Sequence, residues 1–82
     1  MFRHVIEAKY LEDYRVWIKF DNGKSGEINL SHEIWGEIFE PLKKKNYFKN
    51  FKIENDTLSW KNGADFAPEF LYELLKQQTK TK

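Results

Sequence analysis

Apolar and polar residues alternate along three stretches of the chain, and each alternation predicts a strand. Over residues 4–10, Ile6, Ala8 and Tyr10 share one face while Val5, Glu7 and Lys9 share the other. Over 14–20, Tyr14, Val16, Ile18 and Phe20 alternate strictly with Arg15, Trp17 and Lys19. A turn through Leu11, Glu12 and Asp13 sets Tyr10 opposite Tyr14, Ala8 opposite Val16 and Ile6 opposite Ile18, so the apolar sets meet on one face. The next turn is Asp21-Asn22-Gly23. If Asn22-Gly23 alone closed it, Ile18 would face Glu27 and inward and outward positions would mix. With Gly23 left-handed at the end of a longer loop, Ile18 faces Gly26 and Val16 faces Ile28. Register therefore selects the longer loop, and a third strand over 24–30 completes an antiparallel meander.

Residues 31–47 read as a compact crossover. Ser31 can cap a short turn through Trp35, Gly36 and Pro41 prevent a long helix, and Ile34, Trp35, Ile38, Phe39 and Leu42 are the expected core contacts. Alternation returns over 48–54, with Phe51 and Ile53 against Asn50, Lys52 and Glu54. Asn55-Asp56 then closes a hairpin in which Glu54 meets Thr57, Ile53 meets Leu58 and Phe51 meets Trp60, giving one apolar and one polar face. The last helix is predicted over 68–77. Pro68 suits its first position, Ala67 its cap, and Glu69 the positive end of its dipole. Phe66 and Leu71 stand at the spacing that clasps a helix start. Phe70, Leu71, Leu74 and Leu75 form its buried stripe, and 78–82 are expected to fray. The fold expected is α+β, one domain over 1–82: a three-stranded meander, a crossover, a β-hairpin and one C-terminal helix packed on the sheet.

Composition narrows the functional classes. A chain of 82 residues supports one modest core. Aromatic residues at 17% fill it economically, since each ring buries about 150–250 Å². No cysteine is present, which removes disulfides and thiolate metal sites. No apolar run approaches a membrane span and the first residues do not read as a leader, so a cytoplasmic protein is expected. The net charge is only +1, but residues 1–41 hold five Lys/Arg against eight Asp/Glu while 42–82 hold nine against five, so the second half is locally basic.

The candidate chemistry is sparse. His4 and His32 are isolated from carboxylates at ligand spacing, and there is no nucleophile elbow or Gly-rich phosphate loop, so neither a cofactor, a metal nor an enzymatic activity is expected. Asp65 sits two residues before the helix cap; the plain reading is a carboxylate that accepts loop N–H groups or pairs with a lysine, the functional one a ligand contact. Trp17, flanked by Arg15 and Lys19 on the face opposite Val16 and Ile18, suits either base stacking on single-stranded nucleic acid or a protein hot spot, unless Glu7, Glu27 and the crossover cover it. Lys43, Lys44 and Lys45 read as a solvated turn or, alternatively, a phosphate-contacting patch.

Pro41-Leu42, Phe48, Ile53, Leu58 and Trp60, then Asn62-Gly63-Ala64-Asp65 with Pro68-Glu69 and Leu71-Tyr72, resemble the pattern of a small bacterial domain-of-unknown-function family, number twenty-four forty-two. Val16, Phe20, Gly23 and Leu30 suit the same pattern, so the resemblance spans essentially the whole chain. The most specific part is Trp60, Asn62, Gly63 and Asp65, followed by Phe66, Pro68 and Leu71. Asn29 stands where the family favours Asp, and Lys61 where it often has Pro. The resemblance implies an α+β fold, no established enzymatic activity, and small bacterial proteins often encoded beside another small protein in pairs regarded as toxin and antitoxin. On this basis the chain is expected to be a non-catalytic interaction or regulatory module, an antitoxin-like protein-binding component of a two-gene system. The alternative is a nucleic-acid-binding domain using the aromatic and basic sheet face, and a homo-oligomer also stays open.

Overall fold

A computed structural model describes residues 4–79. Strands β1 (Val5–Glu12), β2 (Arg15–Phe20) and β3 (Ser25–Asn29) form an antiparallel sheet in that order. A 3-10 helix (Glu37–Lys43) and a single α-helical turn, α1 (Lys45–Phe48), lead into a second sheet, the hairpin β4 (Lys52–Glu54) and β5 (Thr57–Ser59). Helix α2 (Pro68–Thr79) ends the described chain and packs on the meander. The fold is α+β, with the meander, hairpin and C-terminal helix read from the sequence.

The β2–β3 pairing follows the predicted register, with Ile18 opposite Gly26 and Val16 opposite Ile28. Gly23 has φ +90° and its N–H donates to the Phe20 carbonyl at 2.9 Å, the left-handed residue that the longer loop requires. The β1–β2 register differs from expectation by two residues: Tyr10 lies opposite Val16 and Ala8 opposite Ile18, and the turn is Asp13-Tyr14, with Asp13 at φ +50°. A slip of two preserves which side chains face inward, so the apolar pattern cannot oppose it. Register shifts make Leu11 and Ile6 the extra residues of β1, and both are exposed. Ile6 is thus outside the core and Val5, assigned by parity to the outer face, is inside it, because the bulge reverses the alternation at that point.

The crossover departs further from expectation. Asn29 rather than Ser31 builds its first turn, the Asn29 Oδ1 accepting the Ser31 N–H at 2.9 Å. Ile34 and Leu42 are buried and Phe39 is half-buried against the core, whereas Trp35 and Ile38 are exposed. In a 3-10 helix residues three apart eclipse, so Phe39 and Leu42 turn inward together and Ile38 falls on another side. Gly36, at φ +98°, separates Trp35 from that helix. Phe48 and Phe51 do not extend the hairpin: Phe48 ends α1, fully buried, and Phe51 meets Trp60 by ring contact at 6.2 Å rather than by strand pairing.

The hairpin pairs as predicted, Ile53 with Leu58 and Glu54 with Thr57, through a turn in which Asn55 and Asp56 both have positive φ. Its two strands do not share a polar and an apolar face, however. β4 is exposed throughout and β5 is buried throughout, because β5 runs between the first sheet and the segment leading to α2. Thr57 is accordingly satisfied internally, its hydroxyl donating to the Phe66 carbonyl.

Leu71, Leu74 and Leu75 of α2 pack into a core shared with Val16, Ile18, Phe20, Ile28 and Leu30, while Phe70 at the stripe's edge is partly exposed. Gln78 is helical, not frayed. Its side-chain amide accepts the Asn29 N–H at 2.8 Å and donates to the Asn29 carbonyl at 3.1 Å, pairing with the edge of β3 as a neighbouring strand would. Residues 80–82 of the expected frayed end lie outside the described residues.

Candidate functional site

The segment from Trp60 to Phe66 turns sharply between β5 and α2. Trp60 N–H donates to the Ala64 carbonyl and Gly63 N–H to the Trp60 carbonyl, both at 2.9 Å. Gly63 has φ +94° with open space where a Cβ would stand, so backbone conformation alone favours glycine there. Asn62 holds the turn to its surroundings. Its Oδ1 accepts the Ala64 N–H at 3.1 Å, its Nδ2 donates to the Ile38 carbonyl at 2.9 Å, and its backbone N–H donates to the Tyr47 hydroxyl at 3.0 Å. The turn-building role expected of Asp65 therefore belongs to Asn62. Asp65 pairs through its backbone with Ser59, and its exposed carboxylate has no hydrogen bond or ion pair among the described residues.

This segment forms a wall between two concave surfaces. On one side a groove of about 360 Å³ is lined by Glu33, Trp35, Ile38, Phe39, Asp65, Phe66, Ala67 and Phe70. The Phe66 ring lies near-parallel between Phe39, at 5.0 Å, and Phe70, at 5.8 Å, and meets Trp60 edge-on at 5.9 Å. Trp35 is 72% exposed and Ile38 49% exposed beside this stack, making a contiguous apolar surface of the kind that marks an interaction site. The groove has two carboxylate residues in its lining and no cation. On the other side a cavity of about 570 Å³ is lined by three aromatic residues, three lysines and Asn50. Sequence periodicity missed both: it assigned Trp35, Ile38 and Phe70 to the core, and the lysines of the second cavity are scattered along the chain.

The outer sheet face is as parity predicts, with Trp17 half-buried opposite the fully buried Val16 and Ile18. Its charge is only partly paired: Arg15 is matched, whereas Lys9 and Lys19 have no ion pair among the described residues. Arg15 bonds Glu27 at 2.7 Å, and Lys9 Nζ lies 5.7 Å from the Trp17 ring centroid. The hydrogen bond and charge of Glu27 hold the Arg15 guanidinium above its ordinary pKa, so this arginine is already paired. Lys19 flanks Trp17, partly covered, opposite Glu7 and Ser25. The triple lysine is also divided: Lys43 pairs with Glu40 and Lys45 with Asp13, each at 3.0 Å, while Lys44 caps α1 with its backbone. The Asp13 hydrogen bond and charge raise the Lys45 pKa. Two of the three charges of the lysine turn and one of the three cations on the sheet face are thus paired, and Lys44, Lys9 and Lys19 have no ion pair among the described residues.

Trp17→Ala is expected to cost less than about 1 kcal/mol, against about 2–5 kcal/mol for Ile18→Ala, because only the second opens a cavity in the core. Urea denaturation of both variants checks this; equal losses would place the Trp17 indole in the core.

His4 Nδ1 lies 2.9 Å from Asp56 Oδ2, at the contact where the Val5 N–H meets the Asp56 carbonyl and docks the hairpin turn on β1. Among the described residues no group of three or more His, Cys, Asp or Glu is placed to hold a metal, and no helix is long and apolar enough to cross a membrane.

A family model described as "Protein of unknown function (DUF2442)" matches residues 5–77. That span includes the Trp60-to-Phe66 wall and the lining of both concave surfaces. No curated protein and no solved structure matches the chain.

Proposed function

For this chain, which belongs to the DUF2442 family of unknown function, we propose a non-catalytic protein-binding role in which the groove beside Phe66 receives an apolar segment of a partner protein flanked by Lys or Arg. The observation that carries the reading is the exposure of Trp35 and Ile38 beside the Phe39–Phe66–Phe70 stack, whose outer ring Phe70 is itself partly exposed. Large rings that stay partly open in the monomer are what an interface core is built from. Glu33 and Asp65 supply the charge that a basic flank would meet, and Asp65 is free to do so because Asn62 performs the structural work of the turn. The partner in this proposal is a protein encoded beside this one in a bacterial two-gene system, and binding acts in the manner of an antitoxin, by occupying that protein's surface in the cytoplasm.

Calorimetric titration of the neighbouring gene's product into this protein tests the reading. Trp35→Ala should weaken binding by about 30-fold, the equivalent of about 2 kcal/mol, while leaving the melting curve within about 0.5 kcal/mol of the parent. Affinity should fall only modestly between low and physiological salt, since apolar burial dominates. Affinity unchanged by Trp35→Ala would refute the groove as the contact. If sedimentation showed self-association that Trp35→Ala abolished, the groove would be an interface between copies of this chain and the proposed partner class would be wrong.

A further inference from the structure

We propose that the second cavity, on the far side of the Trp60-to-Phe66 wall, binds a nucleoside phosphate, either free or as one unit of a single-stranded nucleic acid. Three lysines line it from separate elements: Lys49 at the C-terminal cap of α1, Lys52 at the start of β4 and Lys61 just after Trp60. Lys52 pairs with Glu54 at 3.4 Å, but Lys49 and Lys61 have no ion pair among the described residues, and no carboxylate lines the cavity. This contrasts with Lys43, Lys45 and Arg15, whose charges are already matched.

Of the other lining residues, Tyr47, Phe51 and Trp60 are aromatic, and Asn50 is polar, its Nδ2 donating to the Asn46 carbonyl at 2.7 Å. Trp60 is buried and its Nε1 donates to the Phe48 carbonyl at 2.8 Å; Phe51 packs edge-on against Trp60 at 6.2 Å and stays half-open to the cavity. The Tyr47 hydroxyl accepts the Asn62 N–H, which leaves its own proton available to a ligand acceptor. A volume of about 570 Å³ falls in the range of small-molecule sites. Unpaired cations beside open aromatic surface and a hydroxyl donor match a ligand that joins a phosphate to a planar base, because the lysines take the charge and the rings take the base.

The test titrates the full chain with UMP, inorganic phosphate and ten-nucleotide oligo(U) and oligo(dT), following Trp fluorescence and calorimetry at several salt concentrations. Saturable binding of UMP or an oligonucleotide is expected, with the strand's log K falling against log salt at a slope of about −1.4 to −2.1, as two or three phosphate contacts require. The double variant Lys49→Ala/Lys61→Ala should weaken it by about tenfold or more, and Phe51→Leu should weaken UMP but not inorganic phosphate. Strand binding far tighter than UMP assigns the site to single-stranded nucleic acid; equal affinity assigns it to the free nucleotide. Absence of binding by UMP and both oligonucleotides, binding indifferent to the double variant in a folded protein, or inorganic phosphate binding as tightly as UMP would each overturn the proposal. Trp35→Ala should leave every one of these affinities unchanged, so failure here and failure of the protein-binding groove are separate results.

Discussion

Phe48→Ala is expected to lower the free energy of unfolding by about 3–5 kcal/mol, read as a shift of the urea midpoint at unchanged slope. Phe48 is fully buried at the end of a helical turn of four residues, too short to be stable by itself. Its ring meets Tyr10 at 6.2 Å, Tyr14 at 5.2 Å, Phe51 at 6.4 Å and Trp60 at 5.7 Å, so one side chain joins the meander to the hairpin. Truncation removes the transfer energy of the ring and leaves a cavity bounded by other rings, three of which, Tyr10, Tyr14 and Trp60, are held by hydrogen bonds to backbone carbonyls and do not collapse freely into it. Tyr14 is held by its hydroxyl to the Lys43 carbonyl, and Trp60 by its Nε1 to the Phe48 carbonyl, a bond the backbone of the variant can still accept. For 82 residues the whole stability is about 4–12 kcal/mol, so this change takes a large fraction of it. A loss below about 1 kcal/mol would mean that the two sheets are not coupled through this ring.

Phe66→Ala should cost about 2–4 kcal/mol and also abolish binding in the groove, a double effect that Trp35→Ala should not share. Phe66 is 7% exposed, stacked between Phe39 and Phe70, so it is both the floor of the groove and the contact that fixes the start of α2. The Leu71 N–H donates to the Ala67 carbonyl at 3.1 Å, which confirms Ala67 as the cap and places Phe66 just before it. The ring contacts put Phe66 against Phe70, one position before the Leu71 partner that spacing suggested. Denaturation of the variant checks the first effect and calorimetry the second. A loss under about half a kcal/mol would show that the helix start is held by the backbone alone.

Much of the architecture could be read from local pattern, and the reasons differ by element. The β2–β3 register was legible because a slip of one residue would bury Glu27 or expose Ile28, and only Gly23 accommodates the loop that avoids it. The hairpin turn at Asn55-Asp56 and the helix start at Pro68 were legible because each residue type carries its own backbone preference. The family resemblance held for the same reason, since its most specific residues build a turn whose geometry is local.

What the sequence left open was decided by tertiary contact. Parity of apolar positions cannot distinguish registers two residues apart, so the β1–β2 pairing and the bulges at Ile6 and Leu11 depend on how the sheet meets the hairpin. Nor does an apolar residue reveal whether it is core or interface: Trp35, Ile38 and Phe70 look like core in a list of residues, and only the 3-10 geometry of the crossover turns Ile38 outward while Phe39 and Leu42 go in. Charge has the same limit. Lys43 and Lys45 are adjacent in sequence to Lys44 yet each pairs with a carboxylate, Glu40 or Asp13, whereas Lys49, Lys61 and the Glu54-paired Lys52 come together only because α1, β4 and the turn after β5 converge around Trp60. Local pattern sets which elements form and which way they face; proximity between distant segments, which no local pattern encodes, decides where the surfaces that can bind are.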